Sequence, residues 1–322
     1  MDRRSLRGIC FFTILFIMTL KSFNQGFTIS GTKLLDAHGN EFIIRGINMP
    51  HLWFPIRAYN SLSVIKELNV NCTRIVWQTD NDPGQLNEVI KKTVDLKIIP
   101  MVELHNATGG TKKDELMEMV EYYLRPDVKE VIDRYEKYIL VNIANEWGDH
   151  TVSAEFWRDC YKEAIIKMRD AGYKYTLVID GNGWGQDLSP ILKYGRDLIE
   201  CDPQKNLLFS IHMYGSWNEP GKINEELNKA NDLLLPLIVG EFGYNFNNGE
   251  NNLRCKVDHV EILRKCNELK MGYMPWSWCG NDELNSWLDM SKDWKTLTWW
   301  GKEMFESEYG ITKTSKAASV FE

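Results

Sequence analysis

The chain has 322 residues, 43% of them hydrophobic and 26% charged, with a formal net charge of −7. That is ample apolar material for one large core. The acidity argues against nucleic acid or an anionic membrane as a partner, and no basic stripe offsets it.

Arg3, Arg4 and Arg7 precede a 12-residue, nearly unbroken apolar run at 9–20. Such a run is too short for an ordinary membrane span and suits the core of a secretory signal. The expectation is a signal peptide over 1–26, cleaved within 22–26, and one domain over 27–322. No later apolar run approaches about 18 residues, so no membrane contact is expected after cleavage. Removing 1–26 takes away four basic side chains and one acidic one, leaving a more acidic, secreted, extracellular protein, expected to be a monomer. Six cysteines remain, Cys72, Cys160, Cys201, Cys255, Cys266 and Cys279, and an even count in a secreted chain permits disulfide bonds. Cys255 and Cys266 read as one helix, about 16 Å apart, beyond disulfide reach. No C-x-x-C and no Cys/His cluster with zinc spacing occurs, so no metal is expected.

A hairpin is expected within 26–39, with its turn at 37–39. Strands follow at 42–48 and 72–77, then a helix at 86–96. The strand at 98–104 leads to a helix over 114–137, and the strand at 138–143 to a helix over 155–171. This helix is the clearest: Trp157, Cys160, Tyr161, Ala164, Ile165 and Met168 recur at three- and four-residue steps, and Gly172 stops it. Then come a strand at 175–180, a helix at 188–200, a strand at 207–213 and a helix at 223–234. The last units are a strand at 236–241, a helix at 257–269 and a strand at 272–276. Eight strands alternating with helices predict an α/β fold, a single (β/α)8 TIM barrel whose bottom is closed by the short N-terminal hairpin. The rival is an open doubly wound sheet, but neither its G-x-G-x-x-G nor a Walker-type loop appears.

In such a barrel the chemistry sits at the C-terminal ends of the strands. Two of those ends carry a glutamate after an apolar run. The stretch 139–149 reads ILVNIANEWGD and delivers Glu146; 236–242 reads PLIVGEF and delivers Glu241. A carboxylate held at the mouth of a buried strand is costly to desolvate. The other ends add Asn48 with His51 and Trp53, then Arg74, Glu103 with His105, Asn145 with Trp147, Asp180 with Trp184, His212 with Tyr214, and Trp276 with Trp278. Two carboxylates with aromatic platforms suit glycoside hydrolysis, in which one carboxyl protonates the leaving oxygen and the other attacks the anomeric carbon or activates water. Asn145 suits the sugar 2-hydroxyl. Tyr214 and Arg74 would keep Glu241 ionised, whereas Glu146 beside Trp147 would stay protonated. Singly, His105 and His212 read equally as core histidines, and Trp53, Trp184 and Trp278 as core packing. Their joint occurrence at successive strand ends favours a site. A second Asn-Glu pair, Asn218-Glu219, lies in a Gly/Pro loop; Asn218 is expected to cap the next helix and Glu219 to take no part. Of two glycosylation sequons, Asn71 is a candidate and Asn106, beside the site, is expected to be unmodified.

The segments IRGIN (44–48), H-x-W (51–53), TRIV (73–76), HNATG (105–109), NIANEW (142–147), GWGQ (183–186), SIHMY (210–214), IVGEFG (238–243), WSW-x-GN (276–281) and WLDMSKDW (287–294) form a specific set. Through them the chain resembles glycoside hydrolase family 5, most closely its secreted bacterial-type endo-β-1,4-mannanases. The resemblance implies a retaining mechanism without a cofactor, with Glu146 as acid/base and Glu241 as nucleophile. It implies Arg74, His105, Asn145, His212, Tyr214 and Trp276 around the sugar at the point of cleavage. His51, Trp53 and Trp184 lie on the loops that would separate mannan, glucomannan or galactomannan from a β-1,4-glucan. An endo-β-1,4-glucanase on the same scaffold is the alternative reading. Retention also requires the two carboxyl groups to lie roughly 5–5.5 Å apart.

Overall fold

A computed structural model describes residues 26–244 and 256–322. The signal segment and Cys255 therefore lie outside the described residues, apart from Gly26. The chain opens with an antiparallel hairpin of β1 (Thr28–Ser30) and β2 (Lys33–Leu35). Eight parallel strands follow: β3 (Gly46–Met49), β4 (Cys72–Trp77), β5 (Ile99–Leu104), β6 (Leu140–Asn142), β7 (Leu177–Asp180), β8 (Leu207–Met213), β9 (Leu237–Phe242) and β10 (Gly272–Tyr273). Each pairs with the next, and the ring closes where Arg45 bridges Tyr273 and the Tyr273 amide donates to the Ile44 carbonyl at 3.1 Å. Outside them lie α1 (Pro55–Glu67), α2 (Pro83–Asp95), α3 (Lys113–Leu124), α4 (Pro126–Arg134), α5 (Ala154–Asp170), α6 (Ser189–Cys201), α7 (Lys222–Asp232) and α8 (His259–Glu268). Two C-terminal helices, α9 (Trp299–Glu306) and α10 (Ile311–Thr314), complete the chain.

Every residue of these eight strands is buried, because helices cover one face and opposing strands fill the other. The period of two then separates the two sides. Cys72, Ile99, Met101, Leu140, Val178, Leu208, Ile238 and Met274 form an apolar plug at the barrel bottom, sealed by Phe27, Leu34, Phe42, Ala318 and Val320. Two positions further along the same strands the inward residues turn polar: Arg74, Glu103, Asn142, Asp180 and Ser210, with His212 beyond. The polar layer is thus placed by strand periodicity on an apolar floor.

Several expectations are corrected. The helix over 114–137 is two helices. Pro126 brings no N–H to the ladder and holds Arg125 extended at φ −55°, ψ 132°. Helix α1 carries no strong sequence signal; its buried face mixes Ala58 and Ser61 with Leu62 and Ile65. The hairpin turns at Gly31–Thr32, while the 37–39 turn returns Glu41 to pair with Leu35. Gly221, not Asn218, occupies the N-cap of α7. Cys72, Cys160, Cys201, Cys266 and Cys279 are free thiols, so no disulfide joins the described cysteines; four of them are buried and pack as small apolar groups. Among the described residues no helix is long and apolar enough to cross a membrane.

Asn71 is also not a glycan acceptor. It is 3% exposed. Its Nδ2 donates to the carbonyls of Ile43 and Lys316 at 2.9 Å each, and its Oδ1 accepts from the Arg45 amide at 2.7 Å. One amide therefore ties the strand entering the barrel to the C-terminal tail. Asn71→Ala leaves one buried and two part-buried backbone groups without this partner, and urea denaturation should show a loss of roughly 1–3 kcal/mol.

Candidate active site

Arg74, in the middle of β4, points into the barrel and is fully buried. Its Nη1 donates to Glu241 Oε1 at 2.7 Å and to Asn48 Oδ1 at 3.1 Å. Nη2 donates to Asn145 Oδ1 at 2.7 Å, Asn142 Oδ1 at 2.8 Å and Asp180 Oδ2 at 3.3 Å. Nε donates to Asn142 Oδ1 at 3.0 Å, and Glu103 lies 3.7 Å from Nη1. Burial alone would lower the guanidinium's pKa, but Glu103, Asp180 and Glu241 outweigh it and the net shift is upward.

Glu241 reaches this cation through an irregularity in β9. Simple alternation from Ile238, which faces the plug, would turn Gly240 inward and Glu241 outward. Instead the pairing with β8 slips: Ile211 opposes Val239, but His212 opposes Glu241. The extra residue, Gly240, absorbs a bulge, and the glutamate turns inward. Glycine suits this close approach, since a Cβ would stand 2.1 Å from Ser210 Oγ and force that side chain to move. Glu241 also accepts from the Tyr214 hydroxyl at 2.8 Å. Burial raises its carboxyl, yet His212, Arg74, His105 and the Tyr214 bond together hold it below the usual range.

Glu146 lies beyond β6 in a left-handed conformation, φ 46°. Its amide donates to Asp180 Oδ2 at 3.1 Å and its carbonyl accepts from Gly109 at 2.9 Å, which hold the turn. His212 Nδ1 contacts Glu146 Oε1 at 2.7 Å and Glu241 Oε2 at 3.5 Å. Burial and the charge of Glu241 raise the Glu146 carboxyl, against the His212 bond that lowers it. For His212 burial acts downward, but Glu241, Asp180 and Glu146 push it up to about 9. Oxygens of Glu146 and Glu241 and a ring nitrogen of His212 all lie within 4.8 Å of one another. These are metal-type donors, but each is already engaged: Glu241 holds Arg74 and Tyr214, and His212 Nδ1 holds Glu146.

Above them opens a cleft of about 870 Å³. Trp53, His105, Asn145, Glu146, Trp184, Tyr214, Glu241 and Trp276 line it, as expected from the sequence. His105 takes Glu103 at 3.1 Å through Nδ1 and stacks on Trp276, with centroids 6.0 Å apart and planes at 19°. Trp53 meets both edge-on, at 5.2 and 6.2 Å. Asn145 Nδ2 donates to Thr108 Oγ1 at 2.8 Å. At the other end Trp184 is 37% exposed and packs edge-on against His150, 4.8 Å away.

Three expected contact residues are placed differently. Arg74 and His212 lie beneath the floor and act through the two glutamates. His51 does not line the cleft: it is 0% exposed, and burial together with the charge of Lys92 pushes its imidazole down to about 3, so it is a neutral core side chain. Trp278 is likewise core. Asp180 is a structural acceptor for Arg74, Asn142 and the Glu146 amide. Glu219 is exposed and outside the cleft lining. The sequence reading gave no role to Asn142, Thr108, His150, Gln186, Asn281, Asp282 or Asn285. Thr108, Asn142, Gln186 and Asn281 stand in the quoted segments HNATG, NIANEW, GWGQ and WSW-x-GN, a signal that located them without assigning a role.

Residues 35–282 match the cellulase (glycosyl hydrolase family 5) family. A mannan endo-1,4-beta-mannosidase of Salipaludibacillus agaradhaerens is 37% identical over 92% of this chain and 96% of its own. The beta-mannanase of Thermomonospora fusca superposes with a TM-score of 0.85 at 33% identity, covering 92% of this chain and 99% of that one. Its mannohexaose complex superposes with a TM-score of 0.84. The family match spans most of the barrel, both glutamates included, and the relatives align almost end to end: the chain belongs to glycosyl hydrolase family 5.

Proposed function

We propose that this chain is a retaining endo-β-1,4-mannosidase, hydrolysing internal bonds of mannan, glucomannan or galactomannan, with Glu146 as acid/base and Glu241 as nucleophile. The observation that carries the mechanism is the pair of carboxylates with oxygens within 4.8 Å and environments that push their pKa values apart. Oxygens that approach so closely suit the near pair of a retaining enzyme, about 5–5.5 Å between carboxyl groups, better than the wider inverting pair of about 6.5–9.5 Å. The mannanase relatives support the substrate class.

Glu241, ionised beside Arg74, attacks the anomeric carbon while the Glu146 proton passes to the glycosidic oxygen. The leaving sugar departs and a glycosyl ester forms on Glu241. Glu146, now a carboxylate, takes a proton from water, whose oxygen attacks the same carbon and frees Glu241. Asn145, fixed by Arg74 and Thr108, is set to bond the sugar 2-hydroxyl. His105, Trp53 and Trp276 form the aromatic wall on one side, Trp184 on the other, and none of these steps calls for a cofactor. The arginine-flanked apolar N-terminus supports secretion after loss of 1–26, with 27–322 as the catalytic domain.

Glu146→Gln should lower kcat on mannohexaose by roughly 10²–10⁴-fold and spare the first step on an aryl β-mannobioside whose leaving group needs no proton. Equal loss on both substrates would reject Glu146 as the acid. Activity requires Glu241 ionised and Glu146 protonated, so kcat/KM rises through the lowered pKa of Glu241 and falls through the raised pKa of Glu146. Tyr214→Phe removes a bond that lowers the Glu241 pKa, so the acid limb of the pH profile should move to higher pH. Initial rates should favour galactomannan over carboxymethylcellulose; the reverse order would make this a glucanase.

A further inference from the structure

The segment WLDMSKDW (287–294) lies outside the cleft lining, yet one of its side chains reaches the cleft wall through a single intermediary. Trp276 Nε1 donates to Asn281 Oδ1 at 2.8 Å. Asn281 Nδ2 donates to Asp289 Oδ1 at 2.7 Å and to Ser277 Oγ at 3.0 Å, and the Asn281 amide donates to the same Asp289 oxygen at 3.0 Å.

The order of donors and acceptors in this chain is forced. An indole nitrogen only donates, and a carboxylate only accepts. A primary amide between them does one of each, so Asp289 dictates that the Asn281 carbonyl faces the indole. The Trp276 backbone is already fixed, its amide on the Phe242 carbonyl and its own carbonyl on Trp300 Nε1, both at 2.9 Å. What remains free is rotation of the ring about its side-chain bonds. The Nε1 bond removes that freedom and leaves the indole parallel to His105, with one edge toward Trp53.

We infer that Asp289 is a positioning residue for the sugar platform: it sets the orientation of the Asn281 amide, which in turn sets the plane of the Trp276 indole. This rests on the reading of Trp276 as substrate wall. Loss of the Asp289 acceptor leaves the Asn281 amide held only by the Ser277 hydroxyl and the indole itself, so its plane loosens and the ring is freed to swing. The platform meets the sugar in ground and transition states alike, so the loss falls on KM more than on kcat.

The test measures mannohexaose hydrolysis and thermal unfolding together. Asp289→Ala should raise KM roughly tenfold, the worth of one hydrogen bond to a charged group, with kcat nearly unchanged. Asn281→Asp alone sets two carboxylates against each other and should lose at least as much. The double variant Asn281→Asp/Asp289→Asn restores the donor–acceptor order with the charge moved, and should recover KM to within about threefold of the native value. Asp293→Ala, in an exposed turn of the same segment, should leave KM unchanged. A native KM for Asp289→Ala, or a double variant no better than Asn281→Asp alone, overturns the inference. A uniform fall in unfolding temperature that tracks KM across all variants, including the double one, overturns it as well. If the native chain fails on mannohexaose but cleaves carboxymethylcellulose, the mannan reading falls, and the same variants decide the positioning role on the glucan.

Discussion

One buried guanidinium organises this barrel. Arg74 sits fully buried among five acceptors from four strands: Asn48 on β3, Asn142 on β6 with Asn145 just beyond, Asp180 on β7 and Glu241 on β9. A charge of this kind is costly to desolvate, and only good geometry with full hydrogen bonding repays it. Those bonds are also the means by which separate strand ends are held to one register. The catalytic-type pair is therefore built around a cation rather than beside one.

From that centre comes the asymmetry between the two glutamates. Glu241 is in direct contact with Arg74 and with the Tyr214 hydroxyl, and its carboxyl is held down. Glu146 bonds His212 instead, and burial and its negative neighbour push it up. His212 spans both, and the acidic groups around it, Glu241 first, raise its own pKa. Identical side chains thus receive opposite pKa shifts from their surroundings, the pattern that the proposed acid and nucleophile roles require.

The architecture supports this by dividing the barrel interior. The lower inward positions are apolar and dry, closed by the hairpin and the C-terminal tail. The next inward positions carry the polar network, and the loops above them bring the aromatic wall. Left-handed backbone occurs at the site, at Glu146 and Trp184, as well as in turns that follow helices, such as Lys97 and Leu234.

Much of this was legible in the chain. Buried parallel strands read as continuous apolar runs, and β4 and β8 have the boundaries expected from the sequence. The alternation of strands and helices determined the barrel, and a glutamate after each of two such runs marked the site. Less was legible where local signals are weak or broken. Helix α1 has a diluted apolar face, and Pro126 divides α3 from α4. A histidine beside the cleft in sequence, His51, is core in space because the chain turns inward after β3. Most telling is Glu241. Residue type and strand position nominated it, but strict alternation would send its side chain toward the helices. The slip at Gly240 reverses that, and it is set by the pairing of β9 with β8 and by the space Ser210 leaves, contacts that no local pattern encodes. The sequence by itself determined which residue types stand at the strand ends, because burial imposes its period on composition. The tertiary structure alone decided which of them face each other, because the facing depends on register between strands distant in the chain.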